Sequence, residues 1–174
     1  MTAAALRRTV FHHTADRMIS VGDLCDLVAG RVTLLIEIKS RFDGERRLVA
    51  RAAAVLSRYA GPAALMSFDP AQIAALRHLA PSLTRGIVAE RRYKCPAGKE
   101  VSGTSRRATT YFGQALRTRP HFIAYAVKDL PAALPCAARI MFGLPLLTWT
   151  VRTEADRQRA ARYADQVIFE GFRP

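Results

Sequence analysis

Short apolar runs recur along the chain and predict strands that are separated by helices. Six runs rich in Val, Ile, Leu, Phe and Trp have the length of buried strands. They span residues 32–38, 63–67, 84–90, 121–127, 145–151 and 165–169. After the first run, Leu48, Ala52, Val55, Leu56 and Tyr59 recur at helical spacing. Because parallel neighbours need a crossover between them, this alternation predicts a parallel sheet covered by helices.

Residues that favour helix ends support this division. Asp69 and Pro70 offer a cap followed by proline in the first turn, and Thr153 precedes an acidic first turn. A short helix is predicted over 20–29, closed by Gly30. Residues 1–18 are predicted to be an irregular, basic lead-in. We find no linker or repeat, so residues 1–174 are interpreted as one domain.

Polar side chains follow most of the predicted strands. Those at or just beyond a strand end are Glu37, Lys39, Ser67, Glu90, Lys128, Asp129, Trp149 and Glu170. In α/β folds the site lies where the strands end, and several strands that share one polar end favour a barrel. No glycine-rich phosphate loop precedes a helix, which argues against a nucleotide-binding fold.

Chain length limits the size of this barrel. A complete eight-stranded (β/α) barrel needs roughly 250 residues, whereas this sequence has 174. The fold class predicted is therefore α/β, a partial TIM-type (β/α) barrel with about six parallel strands.

Glu37 and Lys39 are the most informative charged pair in the sequence. They end the first apolar run and, because strand residues alternate sides, they share a face. An unpaired charge in a dry core is prohibitively costly. The two side chains must therefore pair, bind a metal or open into a polar site.

Four motifs, in order from about residue 19 to the C-terminus, resemble the bacterial glycerophosphodiester phosphodiesterases. Residues 36–39 match the family's IEIK strand, and 66–69 resemble its strand that ends in Ser-Phe. Residues 146–153 resemble its WTVNT strand, and 164–169 stand where that family has its closing strand. The family is a TIM-barrel hydrolase that cleaves glycerophosphodiesters to glycerol 3-phosphate and an alcohol.

The resemblance implies roles for three residues. Glu37 matches a metal ligand for magnesium or calcium, and Lys39 matches the catalytic lysine that contacts the substrate phosphate. Trp149 would line the substrate pocket. This chemistry is reasonable, since hard cations prefer oxygen ligands and an ammonium binds phosphate as a point charge.

Several catalytic motifs of that family are absent from the sequence. It has no HRG strand, no ExD strand and no HD pair. The pair His12-His13 lies in a polar lead-in, where solvated surface histidines are typical. The sequence therefore resembles the C-terminal two-thirds of such an enzyme. It would be a truncated product, a chain completed by an N-terminal partner or an oligomer, or a non-catalytic remnant that binds phosphate-containing ligands.

Charge and cysteine usage add two further expectations. The net charge is +13, and the densest basic region runs from Arg91 to Arg107. Nucleic-acid binding there is a third hypothesis, although a solvated basic surface is the more common case and nucleic acid is not the expected partner. Cys25, Cys95 and Cys136 lack metal or disulfide spacing and fit a reducing cytoplasm. Neither a signal peptide nor a transmembrane segment is predicted.

Overall fold

Six parallel strands build one curled sheet. The computed structural model describes residues 2–12, 14–91, 93–94, 100–101 and 115–172. The strands of the main sheet are β1 (Leu34–Glu37), β2 (Ala63–Ser67), β3 (Thr84–Ala89), β6 (Phe122–Ala126), β7 (Leu146–Val151) and β8 (Gln166–Phe169). A separate antiparallel pair, β4 (Tyr93–Lys94) and β5 (Glu100–Val101), follows β3. All six predicted strands are present, with bounds within two residues of those expected.

Strand order identifies the architecture as a half-barrel. The order is β1-β2-β3-β6-β7-β8, so each strand lies beside the one that precedes it in the main sheet. All five pairings are parallel, for example Ile36 with Leu65 and Met66 with Gly86. A doubly wound sheet would reverse direction at a switch point. Because no reversal occurs here, the helices cover one face and the other face is the concave interior of a partial TIM-type barrel.

Helices connect the strands, and three of them begin where the sequence predicts. They are α1 (Ala3–Arg8), α2 (Val21–Val28), α3 (Arg47–Leu56), α4 (Pro70–Leu79), α5 (Ala133–Phe142) and α6 (Glu154–Tyr163). Ser20 and Asp23 form a capping box at α2, and Thr153 and Asp156 form another at α6. Asp69 caps α4 by accepting from the amide N–H of Ala71. Helix α1, in the lead-in, was not predicted.

Apolar packing on the convex face holds the helices to the sheet. Leu65 of β2 and Leu76 of α4 are fully buried together with Val49 of α3. On the concave face, Met66 and Val88 form a second cluster that also contains Ala64, Phe122 and Ala124. Gly86 lies on this face, where a Cβ would overlap the ring of Phe122. Both faces of the sheet are therefore covered by packed apolar side chains.

Both edges of the main sheet lack a neighbouring strand among the described residues. These edges are β1 and β8, as the predicted partial barrel requires. Val167 and Phe169 of β8 are exposed, and unpaired edge strands with apolar side chains favour association with other chains. In the described part of the chain, no helix is long and apolar enough to cross a bilayer.

Candidate functional site

The carboxyl end of β1 presents Glu37 and Lys39 as an ion pair. Lys39 Nζ donates to Glu37 Oε1 at 2.7 Å. The Glu37 side chain is 24% exposed and that of Lys39 is 72% exposed. An ion pair this open to water contributes at most about 1 kcal/mol to stability. The sequence left three possibilities for Glu37 and Lys39, namely pairing, metal binding or a polar site. The structure shows them paired, at a position that is open to solvent.

Aromatic rings stand beside this ion pair. Lys39 Nζ lies 5.8 Å from the centroid of the Phe68 ring. Phe68 follows β2 and meets Trp149 of β7 edge to face, with ring centroids 5.5 Å apart. The indole Nε1–H of Trp149 is buried and has no hydrogen-bond partner among the described residues. The structure thus brings Lys39, Phe68 and Trp149 together at the carboxyl edge, which we define as the edge where the six strands end.

A second acid–lysine pair lies two strands away. Lys128, in the turn after β6, donates to Glu90 Oε2 at 2.7 Å, and Glu90 follows β3. This hydrogen bond raises the pKa of Lys128 above its usual value, and burial opposes the shift. Beside it, Asp129 accepts from the amide N–H of Arg91 at 2.8 Å. Sequence reasoning placed these residues at strand ends but did not predict their pairing.

Buried hydrogen bonds anchor the turn that carries Lys39. Ser40 Oγ donates to Asp69 Oδ2 at 2.6 Å, and Ser67 Oγ donates to the Ile38 carbonyl at 2.7 Å. Gln72 Nε2 donates to the Glu45 carbonyl at 2.8 Å. Asp69, Gln72 and Ser67 are all buried. These bonds fix the β1 turn against the start of α4, so they position Lys39 without contacting it.

The Gln72 amide is only partly satisfied by these contacts. Its Oε1 atom is buried and accepts no hydrogen bond from the described residues. The opposite amide orientation would turn that oxygen toward the Glu45 carbonyl and Asp69 Oδ2, which are themselves acceptors. The orientation shown is therefore the one that the neighbouring groups favour.

Strand β8 ends in a third ion pair. Arg152 donates to Glu170 Oε2 at 2.6 Å, and both side chains are exposed. Glu170 therefore keeps an acid at the end of the last strand, as the sequence predicted.

The described residues near Glu37 include too few carboxylates for a metal centre. Within the described ranges, no group of three or more His, Cys, Asp or Glu side chains could hold a metal ion. One oxygen of Glu37 already accepts from Lys39. The described residues therefore supply Glu37 as a single potential ligand and do not themselves fit a divalent cation.

The three histidines in the described part of the chain do not gather at the strand ends. His121 precedes β6 at the opposite edge, where its Nδ1 accepts from the amide N–H of Arg85. Burial, and then the charge of Arg85, lower the pKa of His121. His78 is exposed near the end of α4, and His12 belongs to the lead-in. His13 and most of the basic region between Arg91 and Arg107 lie outside the described residues.

Comparisons with known proteins place the fold. No family model matches the chain, and no curated protein matches it. Among solved structures, a protein from Silicibacter pomeroyi assigned as a glycerophosphoryl diester phosphodiesterase aligns over 97% of this chain with a TM-score of 0.70 and 24% identity. A glycerophosphodiester phosphodiesterase from Parabacteroides distasonis covers 97% with a TM-score of 0.68 and 14% identity.

A third structure carries a ligand. The Oleispira antarctica phosphodiesterase, solved in complex with the product sn-glycerol-3-phosphate, covers 86% of the chain with a TM-score of 0.66 and 13% identity. The chain spans 64%, 66% and 56% of these three structures, respectively, which is less than two thirds of each. At such identities the likeness concerns architecture. The chain has the fold of the glycerophosphodiester phosphodiesterases over its six described parallel strands.

Proposed function

We propose that the carboxyl edge binds the phosphate and glycerol of a glycerophosphodiester, and that the chain belongs to a hydrolase that releases glycerol 3-phosphate. The observation that carries this proposal is the position of Lys39. Its ammonium lies at the end of β1, held by Glu37 and beside the Phe68 ring. A lysine is a point-charge binder for phosphate oxygens, and its 72% exposure leaves it accessible.

Phe68 and Trp149 supply the apolar side of the proposed site. Their edge-to-face contact forms a wall against which a glycerol backbone or an alcohol group would pack. The Nε1–H of Trp149 has no acceptor among the described residues and is buried, so the indole would have to turn before this donor reached an oxygen of the ligand. Lys128 provides a second cation at the same edge, already paired with Glu90.

Turnover requires groups beyond the strand ends described here. Glu37 would be one ligand of magnesium or calcium, and the other ligands would come from outside the described residues. A bound divalent cation would neutralise part of the negative charge that develops on the phosphoryl group during hydrolysis. We infer that those residues belong to further segments, to a partner chain or to a second copy, since β1 and β8 have no neighbouring strand on their outer sides among the described residues.

Binding without turnover is a second candidate function. It is favoured by the absence of a three-ligand group from the described part of the chain. In that case the edge would hold glycerol 3-phosphate or phosphate, and magnesium or calcium would not alter the affinity. Nucleic-acid binding by the basic region between Arg91 and Arg107 is supported by the sequence alone.

Trp149 makes the binding step measurable. It is the single tryptophan of the sequence, so its fluorescence reports on the proposed site. We expect glycerol 3-phosphate to change the emission in a saturable way. Lys39→Gln should weaken this binding about tenfold or more, because a charge-assisted contact to phosphate is lost. Arg51→Gln, which removes an exposed charge on α3, is the matched control.

Hydrolysis is tested with the same protein. Glycerophosphocholine and glycerophosphoglycerol are incubated with and without magnesium or calcium, beside Glu37→Gln. Metal-dependent release of glycerol 3-phosphate that disappears in Glu37→Gln supports the hydrolase. Saturable binding with no release supports the binding role. If glycerol 3-phosphate does not bind, or if Lys39→Gln binds it as tightly as the original chain does, the proposed binding site at the carboxyl edge is wrong.

A further inference from the structure

The last turn of α5 exposes three consecutive large apolar side chains. Ile140 is 78% exposed, Met141 72% and Phe142 73%. Successive helical residues point about 100° apart, so three exposed neighbours mean that this turn stands clear of the sheet on most sides. The helix ends at Gly143, whose φ of 61° allows the left-handed cap. Soluble surfaces seldom present such a contiguous apolar group without a partner.

The apolar turn lies at the amino edge, which we define as the edge where the six strands begin. Leu79, at the end of α4, and Leu116, before β6, are also exposed at this edge. Arg77 Nη1 donates to the carbonyls of Leu116 and Arg117, each at 3.2 Å, so these two turns are adjacent. Leu27 and Val32 are exposed where α2 leads into β1. The amino edge therefore exposes apolar side chains at several turns, of which those before β3 and β6 are adjacent.

The same edge is strongly cationic. The loops that lead into strands, and the last helical turns before them, carry Arg31, Arg58, Arg77, Arg117, Arg119, Arg139 and Arg162. Among the described residues, the carboxylates at these turns are Asp26 and Asp165, and Asp165 is already paired with Arg139 at 2.7 Å. Arg58, Arg117 and Arg162 are exposed and form no ion pair within the described ranges. The remaining carboxylates lie in the lead-in, at the start of a helix, in β5, or at or beyond the end of a strand of the main sheet.

We propose that the amino edge is a docking surface for a membrane that contains anionic lipids. Exposed Ile, Met and Phe side chains enter the boundary between headgroups and acyl chains, and nearby arginines contact lipid phosphates. A second copy of the same edge would bring like charges together, which disfavours self-association there. A nucleic acid as the partner of the amino edge would account for the exposed arginines, but it would not account for the exposed apolar turn.

When the amino edge is docked on a membrane, the two edges of the sheet have different functions. The amino edge faces the lipid, and the carboxyl edge with Glu37 and Lys39 faces water. The proposal does not rest on the proposed function, because it uses none of the residues at the carboxyl edge.

Vesicle co-sedimentation tests the proposal. The full chain is mixed with phosphatidylcholine vesicles and with vesicles that contain about 30% phosphatidylglycerol, at salt concentrations of about 50 and about 300 mM. We expect binding to the anionic vesicles that weakens at high salt. The triple variant I140S/M141S/F142S should lose at least about tenfold in partitioning. Leu48→Ser, at an exposed apolar position on α3, should bind like the original chain.

Charge placement is tested by two variants of equal net charge. R58Q/R117Q/R162Q removes exposed arginines from the amino edge and should lose about fivefold for each arginine at low salt. R41Q/R46Q/R51Q removes exposed arginines elsewhere and should lose much less. Circular dichroism of each variant confirms that it is folded.

Three results would overturn the proposal. The first is equal binding to neutral and anionic vesicles, and the second is an equal loss in the two arginine variants. The third is concentration-dependent self-association that the I140S/M141S/F142S variant abolishes, because the apolar turn would then be covered by a second copy.

Discussion

The Asp69 carboxylate accepts a hydrogen bond of 2.6 Å from the Ser40 hydroxyl and so ties the turn after β1 to the first turn of α4. The same carboxylate caps α4 through the amide N–H of Ala71 at 2.9 Å. One buried side chain thus holds two βα units in register. The turn that it fixes carries Lys39, one residue before Ser40.

Removing this bond should reveal coupling between the two residues. Asp69→Ala loses a helix cap and a buried acceptor, at a cost of about 2–4 kcal/mol, whereas Ser40→Ala costs about 1 kcal/mol. The stability losses caused by two substitutions do not add when the two residues share a hydrogen bond. The loss in the double variant should therefore differ from the sum of the two single losses by about 0.5 kcal/mol or more. Urea unfolding of the four proteins measures the coupling. Strict additivity would mean that the Ser40–Asp69 bond adds nothing to stability.

Gly86 should resist substitution because of its neighbour on β6. A Cβ there would overlap the ring of Phe122, and overpacking of this kind costs about 1–3 kcal/mol. We expect Gly86→Ala to lower the midpoint of urea unfolding, and Phe122→Leu in the same chain to recover part of the loss.

Gly22 provides the control for that experiment. A Cβ at Gly22 would meet Ser20 Oγ at 3.6 Å, an ordinary contact. Because Gly22 lies within α2, Gly22→Ala should be neutral or stabilising by up to about 1 kcal/mol. If both alanine variants behaved alike, the close approach of β3 and β6 would not limit the packing of the concave face.

Acid should weaken the contact between α5 and β7 through Asp165. Hydrogen bonds from Arg139 and then from the Leu146 amide lower the pKa of Asp165. A carboxyl whose pKa falls on folding stabilises the fold above its unfolded pKa of about 3.9, and this contribution disappears as pH falls toward the folded value. The original chain should therefore lose more stability than Asp165→Asn between pH about 6 and about 3.

Urea midpoints at the two pH values measure this difference. Asp16→Asn is the control, since the Asp16 carboxylate forms no hydrogen bond or ion pair among the described residues and is exposed. Its acid sensitivity should match that of the original chain. An Asp165→Asn variant with unchanged acid sensitivity would show that the Arg139–Asp165 pair does not contribute.

Much of the fold follows from local sequence patterns. Most buried strands are largely apolar runs, so their limits are visible without any knowledge of their partners, although β3 also contains the buried Arg85. Ser20, Asp69 and Thr153 cap helices through bonds to residues two or three positions away, which makes helix starts equally local. Helix α1 was missed because its short segment lacks an apolar stripe, although Thr2 caps it through the Ala5 amide.

Fewer features of the candidate site than of the fold could be predicted from the sequence. The positions of Glu37 and Lys39 at a strand end were predictable, and their pairing was one of three open outcomes. The bonds that join Ser40 to Asp69 and Lys128 to Glu90 link residues far apart in the sequence. Such contacts depend on the register between strands and on side-chain rotamers. Neither can be derived from the apolar pattern alone.

The sequential strand order makes the half-barrel modular. Each βα unit pairs with its immediate neighbours, as in proteins whose stability is a sum of nearest-neighbour terms. Opening should therefore proceed from the outer units inward, so backbone amides of β8 should exchange with deuterium faster than those of β3 and β6. Uniform exchange across all six strands would instead identify a single cooperative unit. A gradient would mean that units can be gained or lost at either end while the central strands keep their native pairing.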